Sequence, residues 1–540
     1  MRLRRVLFLM GLCLSSRLAA QTAPDSGTGG TPSASPVVRS VEVHRRDIFD
    51  PDERSWYARV ANALHVQTRP KVIQRELLFH PGEPYDSALV AESERNLRGL
   101  GVFRRVQIDS VRTDSGLTMR VVTKDGWSTR ADWRFRSVGG DVEFTIGLVE
   151  DNLLGTATLA AVRYRKTTDR TSVDLGFRRP RLFAGRVGLA AAYENRSDGE
   201  LAAVVVEQPF FSLTSRSGFR VELDDSDERI LRFFNGEDEA GDSLSRRYSL
   251  ARGSVGWALR ASSEGFLRLG ATAQVVRDDY LPRGVPAEFP RTVTGAVGPF
   301  LVWNKADFLV TQGVAGFGRE EDVDLGTTIR ASAMLAPKAF GYDRNGIGPL
   351  VAGRVGARIP GGFGFLEALA GGLYNSAGLD SGAVQLAATA VVKPRSGHVA
   401  VAHVEGGWLK DPLPGQEFDL GLSVGPRAFR SHAFTGDRMV FATAEYRVTV
   451  TDDFLGLVGL GVAGFVDHGG AWYSGSPQRF GWDTGLGLRL GATRASATDA
   501  LRFDLAYRFE NDAQGAGWVL TVGKGFVFSA VGKRGYGYYN

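Results

Sequence analysis

The chain has 540 residues, 65 Lys+Arg against 60 Asp+Glu, and a single cysteine, Cys13. Its formal charge is +5, but residues 1–20 hold Arg2, Arg4, Arg5 and Arg17 and no acid, so the remainder is balanced to within one charge and gives no support for nucleic-acid binding. One cysteine excludes a disulfide framework, and it falls in the apolar run of the leader, which leaves no thiol chemistry in the rest.

The leader has the layout of a secretory signal: a basic head, an apolar run from Val6 to Leu14, and small residues at Ala19 and Ala20. The run is too short for a spanning helix, which needs about 20 apolar residues. Export with cleavage before Gln21 is the expectation, and residues 21–36, rich in Gly, Ser, Thr and Pro, read as a flexible tether.

Residues 37–126 read as a compact α+β domain in the order β-α-α-β-β. Val37 to Val43 is strand-like, and Thr68 is a candidate cap for a helix with Pro70 in its first turn. After the break at Pro81-Gly82-Glu83-Pro84, Asp86 caps a second helix, Ser87 to Leu100, with Leu89, Leu97 and Leu100 on one side and charges such as Glu92 and Arg98 elsewhere. Gly99 and Gly101 end it, and two strands, Val102–Val111 and Leu117–Thr123, close the unit. The run Gly82-Glu83-Pro84-Tyr85-Asp86 and the run Arg95 to Phe103, which couples a helix end to a strand start, resemble a polypeptide-transport-associated (POTRA) domain.

From Trp127 helical periodicity gives way to alternation. Val142, Phe144, Ile146 and Leu148 share one face; Phe503, Leu505, Tyr507 and Phe509 alternate with Arg502, Asp504, Ala506 and Arg508. A soluble sandwich and a membrane barrel produce the same pattern. The leader, the length of the strand-rich run, and turns alternating with long polar loops at Asp224–Arg246 and Asp278–Arg291 favour lipid. A mean hydropathy of −0.12 is compatible with that, because a barrel confines its apolar residues to one face. The reading is a mainly β protein: a transmembrane antiparallel β-barrel over residues 127–530, with a tail at 531–540. Raw segment counting gives about 22 strands, an even number as closure with both ends on one side demands.

Several motifs in this region are similar to the BamA/TamA family of outer-membrane assembly factors. Asp151-Asn152-Leu153-Leu154-Gly155 resembles an inner turn of that family, in which Asn152 and Gly155 would supply positive backbone angles. Gly425-Pro426-Arg427-Ala428-Phe429, with Phe434 to Arg438 and Glu445-Tyr446-Arg447, resembles its inward-folded loop, and Phe465-Val466-Asp467-His468-Gly469 resembles the strand that receives it. The resemblance implies that Arg427 meets Asp467 in the lumen, with Phe429 and Gly469 completing the lock. A guanidinium in a partly dry lumen needs a carboxylate, and a planar two-point pair fixes position. Ala428 stands where the family has Gly, which carries strain if the backbone angle there is positive. The closing strand, with Thr521, Gly523, Phe526 and Phe528, resembles the signal by which barrels are recognised for insertion; Gly523 would admit a second backbone.

The resemblance implies about sixteen strands, residence in the bacterial outer membrane with the small domain in the periplasm, and a role in inserting or translocating polypeptides without a cofactor. The partners implied are unfolded outer-membrane or secreted polypeptides, outer-membrane lipids and possible periplasmic proteins. A secretion pore or passive channel, and a purely structural surface barrel, are the alternatives. No catalytic set is expected: no convincing Ser, His and acid set stands out, and His398 and His403 have opposite parity on one strand, a poor metal pair.

Overall fold

The computed structural model describes residues 36–525, apart from residues 54, 114–115, 139–140, 183–184, 235–236, 284–288, 290–291, 318–319, 422–423, 496–499 and 512–513. The leader, nearly all of the tether, Phe526, Phe528 and the tail lie outside the described residues.

The N-terminal domain consists of β1 (Val38–Arg46), α1 (Trp56–Leu64), α2 (Pro70–Glu76), α3 (Ser87–Gly99), β2 (Phe103–Thr113) and β3 (Gly116–Asp125). The sheet order is β1-β3-β2, with β1 parallel and β2 antiparallel to β3. Its two outer helices bury Ile73 and Leu97 against Val106, Met119 and Val121, the alternate positions of the strands that face inward. Asp86 caps α3 as expected, its Oδ1 accepting from the Ala88 N–H at 2.8 Å. Three expectations are corrected. Helix α1 was not foreseen: it buries only Ala58, beside Ile48 and Phe49, so its apolar signal is weak. Thr68 caps nothing; its hydroxyl and N–H both donate to Asp125, at 2.9 and 2.7 Å. Glu92 and Arg98 are buried, because that flank of α3 faces the barrel and not solvent.

Twenty described strands from Thr129–Val138 to Gly517–Lys524 form one closed antiparallel barrel. This corrects the expectation of about sixteen and falls inside the raw segment range. Four short strands stay outside the barrel as two hairpins, Phe308–Gln312 with Glu320–Asp324 and Phe418–Leu420 with Phe434–Gly436. The supposed polar loop at 224–246 is mostly strand: Ser217–Phe234 and Glu237–Ser262 pair almost to their tip. The second of these has 26 residues, against about 9–11 needed to cross a bilayer. Cross-strand polar pairs such as Asp227 with Arg247, 2.9 Å apart, carry the ladder beyond the apolar belt.

The alternation sorts as the pattern predicts. Ile146, Leu148, Leu488 and Leu505 are exposed on the outer face, Leu486 and Trp518 at 73% and 68%, while Asp467, Asp483, Arg489 and Asp504 are buried inside. Outward apolar and inward charged side chains are the arrangement hydrocarbon selects.

Candidate functional site

Residues 411–437 connect the strand His398–Lys410 to the strand Arg438–Phe454, at the end of the barrel away from the domain. Phe429 is fully buried and sits 5.1 Å from Phe434, ring centroid to ring centroid. A Cβ at Gly481 would lie 2.3 Å from Phe429 Cζ, so the wall must be bare there for the ring to seat. Gly469 plays the same part for Phe441: a Cβ there would come within 3.0 Å of that ring.

The anchored loop places Arg427 against three carboxylates. Its Nε and Nη2 donate to the two oxygens of Asp467, at 2.6 and 3.1 Å, the planar two-point geometry. Nη1 donates to Glu445 at 3.3 Å and to Asp504 at 3.0 Å. The guanidinium carbon lies 3.6 Å from the centroid of the Phe465 ring, a stacked contact open to Arg and not to Lys. Asp467 also accepts from Thr443 Oγ1 at 2.6 Å, and Asp483 holds the Ala428 N–H at 3.0 Å. The structure thus brings Arg427, Phe429, Asp467 and Gly469 to one place. Ala428 is not among the residues with positive φ; that backbone shape falls on His432 (φ 58°). Packed against Phe465, Ala506 and Val519, Ala428 fills a core position without strain.

Sequence reasoning named Glu445, Arg447, Arg502 and Asp504 without pairing them, and it missed Arg489. Arg489 donates to Asp504 at 2.6 Å and lies 3.0 Å from Glu445; Arg447 donates to Glu445 at 2.5 Å; Arg502 lies 3.0 Å from Asp504. Inward parity marks each of these residues as luminal, but their pairing depends on strand register.

The hairpin at 308–324 enters the lumen from the end facing the domain. Phe317 lies over Gly459 and Gly491, where added Cβ atoms would stand 2.3 and 2.4 Å from its ring. Arg447 Nη1 donates to the Val314 carbonyl at 3.2 Å, so the hairpin touches the same arginine that binds Glu445. Arg98 on α3 grips its outer side, donating to Asp322 at 2.7 and 2.8 Å. The lumen is therefore crossed at both ends by segments that meet one charge cluster.

The turn at 151–158 docks the domain on the barrel. Asn152 has φ −131°, so it does not supply the expected positive angle; Leu154, Gly155 and Ala157 do. Asn152 acts through its side chain, accepting from the Ala157 N–H at 2.8 Å and donating to Thr68 Oγ1 at 3.0 Å. Gly155 is needed because a Cβ would stand 2.4 Å from the Gln67 carbonyl oxygen, and its own carbonyl accepts from the Arg69 N–H at 2.9 Å.

The barrel closes between its first and last strands, and the ladder there is short. Among the described residues Thr521 pairs with Arg136 and Val522 with Phe135 and no further pairs form, whereas Thr129–Val138 pairs along its whole length on its other side. Lys524 Nζ crosses the junction to Asp132 at 2.7 Å. Gly523 does not admit a backbone, as expected from sequence, but the Arg502 guanidinium: a Cβ there would lie 2.8 Å from Arg502 Nη2.

Residues 65–124 match the family model "POTRA: Surface antigen variable number repeat". The outer membrane protein assembly factor BamA of Neorickettsia risticii (strain Illinois) is 28% identical over 141 residues, 25% of this chain and 19% of that relative. BamA of Neisseria meningitidis serogroup B is 26% identical over 174 residues, 30% of this chain and 21% of that relative. The matched stretches thus span about a fifth of either relative's length. The crystal structure of BamA from Haemophilus ducreyi lacking POTRA domains 1-3 aligns with 90% of this chain and 84% of its own at 14% identity and TM-score 0.36. The chain thus carries a POTRA domain ahead of a closed barrel, and in sequence it is similar to the outer membrane protein assembly factor BamA.

Proposed function

We propose that this protein assists insertion or translocation of polypeptides at the outer membrane by parting the junction between its first and last strands, with the POTRA domain on the periplasmic side. The observation that carries this reading is the two-position ladder between Thr129–Val138 and Gly517–Lys524. Among the described residues the neighbouring ladder of the last strand pairs at eight positions and the junction at two, a difference of roughly six hydrogen bonds at a net ~1 kcal/mol each. Unpaired strand groups are costly in lipid, so the free stretches of both edges are templates for an incoming strand. Obstruction of the lumen from both ends supports a lateral route over a passive channel. The mechanism needs no cofactor and no catalytic residue.

The test is a lock. Phe135 and Val522 stand directly opposite each other, within reach of a disulfide after Phe135→Cys and Val522→Cys. Oxidised protein should lose its ability to support barrel assembly in reconstituted membranes, and a reductant should restore it. Full assembly by the oxidised form would rule out the lateral route.

A further inference from the structure

Between α2 of the POTRA domain and the barrel turn at 180–187 lies a cavity of about 330 Å³, lined by Lys71, Arg75, His80 and Arg186, with Leu77 as an apolar wall. The volume sits at the lower end of ligand-sized pockets, about 300–1,000 Å³. Among the described residues no carboxylate lines it. Glu76, close enough to act on Arg186, gives one oxygen to Arg181 at 2.7 Å. Elsewhere along the domain–barrel interface guanidinium groups meet carboxylates, Arg98 with Asp322 and Arg494 with Glu53. Here three permanent cations converge without one, an arrangement that costs repulsion unless an anion enters.

Arg186 is the built element. Its guanidinium carbon lies 3.5 Å from the Phe211 ring centroid, which fixes its orientation, and its Nη1 is buried with no hydrogen-bond acceptor. A buried donor of this kind is normally satisfied. Burial pulls the group below its usual arginine value, against the opposing pull of Glu76. The turn joins the barrel strands Thr171–Arg179 and Gly188–Arg196 at the end of the barrel that faces the domain.

We infer that this cavity binds a phosphate group, as an anionic headgroup of the adjoining leaflet or as free phosphate, with Arg186 and Arg75 as principal donors and Lys71 adding charge. The site stands independently of the assembly mechanism. Two-point guanidinium–phosphate geometry suits the cationic walls, and Leu77 suits the glycerol stem of a lipid.

The full chain in a neutral detergent, studied by native mass spectrometry, separates the outcomes. Phosphatidylglycerol, phosphatidylcholine and inorganic phosphate are titrated separately against the natural protein, Arg75→Ala/Arg186→Ala and Lys71→Glu. Lys71 is exposed, so its variant tests the site without disturbing folding. Saturable binding of one phosphatidylglycerol, weakened at least about tenfold in both variants, supports a lipid headgroup; the same pattern with inorganic phosphate supports the free ion. Absence of binding by all probes, or equal affinity in natural and variant proteins, overturns the site.

Discussion

Removing Arg427 concentrates its cost on one residue. Asp504 keeps Arg489 and Arg502, and Glu445 keeps Arg447 and Arg489, but Asp467 loses the only guanidinium that reaches it among the described residues and retains the Thr443 hydroxyl. A fully buried carboxylate stripped of its partner costs about 3–5 kcal/mol. Arg427→Ala should therefore lower the urea midpoint of the detergent-folded barrel by that amount, read from heat-modifiable migration on gels. Asp467→Asn alone should cost less, since the amide oxygen still accepts from Thr443 and Arg427 keeps Glu445 and Asp504. The double variant Arg427→Ala/Asp467→Asn should recover part of the first loss, a coupling of at least about 1 kcal/mol. Strict additivity of the two substitutions would refute the claim that the pair holds the loop.

Phe317→Ala should empty the socket over Gly459 and Gly491 and release the hairpin, at a cost of about 3–5 kcal/mol, with raised conductance in planar bilayers; unchanged conductance would mean the hairpin does not obstruct the lumen. His432 is stacked on Phe233 at 3.7 Å between Asp169 and Asp419, and despite burial, which opposes protonation, these acids raise its pKa to about 10. Because the folded value is raised, its stabilisation is complete below about pH 6.5 and fades as pH climbs through about 10. Limited proteolysis of residues 411–437 should accelerate over that window in the natural protein and show no such step in His432→Ala. Gly155→Ala should loosen the POTRA domain, because the new Cβ meets the Gln67 carbonyl at 2.4 Å in a left-handed backbone; spin-label distances between domain and barrel should broaden, and a single unchanged distance would refute the docking role.

How much of this was legible in the sequence follows from the range of each interaction. Alternation is local, so the two faces of the strands at Asp141–Glu150 and Leu501–Arg508 could be read directly. The approach of Arg427 to Asp467 joins residues 40 apart and was legible only through a family resemblance. Glu445, Arg489 and Asp504 could be assigned to the lumen by parity, yet their mutual pairing required the register of neighbouring strands, which a one-residue slip would destroy. Strand number was not legible, because the hairpins at 308–324 and 418–436 carry the same strand-like residues as the wall. Asn152 was legible as a turn residue, but its bond to Thr68 spans 84 positions and two domains, and no local signal encodes it.

The two segments that cross the lumen share an electrostatic path. The guanidinium of Arg427, from the outer loop, meets Glu445; Glu445 meets Arg447; Arg447 donates to the carbonyl of Val314 in the inner hairpin. An apolar plug would fill the same space with fewer directional demands. A charged one requires all partners in place, because each buried ion left alone is penalised heavily. Arg447→Met tests whether the path links the two ends. The side chain keeps its stem while losing the charge, and Glu445 retains Arg427 and Arg489. The hairpin should become sensitive to protease first. If the path transmits, the 411–437 loop should also be cleaved faster, by a few-fold, since Arg427 and Arg489 must then redistribute over Glu445, Asp467 and Asp504. Faster cleavage confined to the hairpin would show that the two obstructions stand independently, and that opening one leaves the other shut.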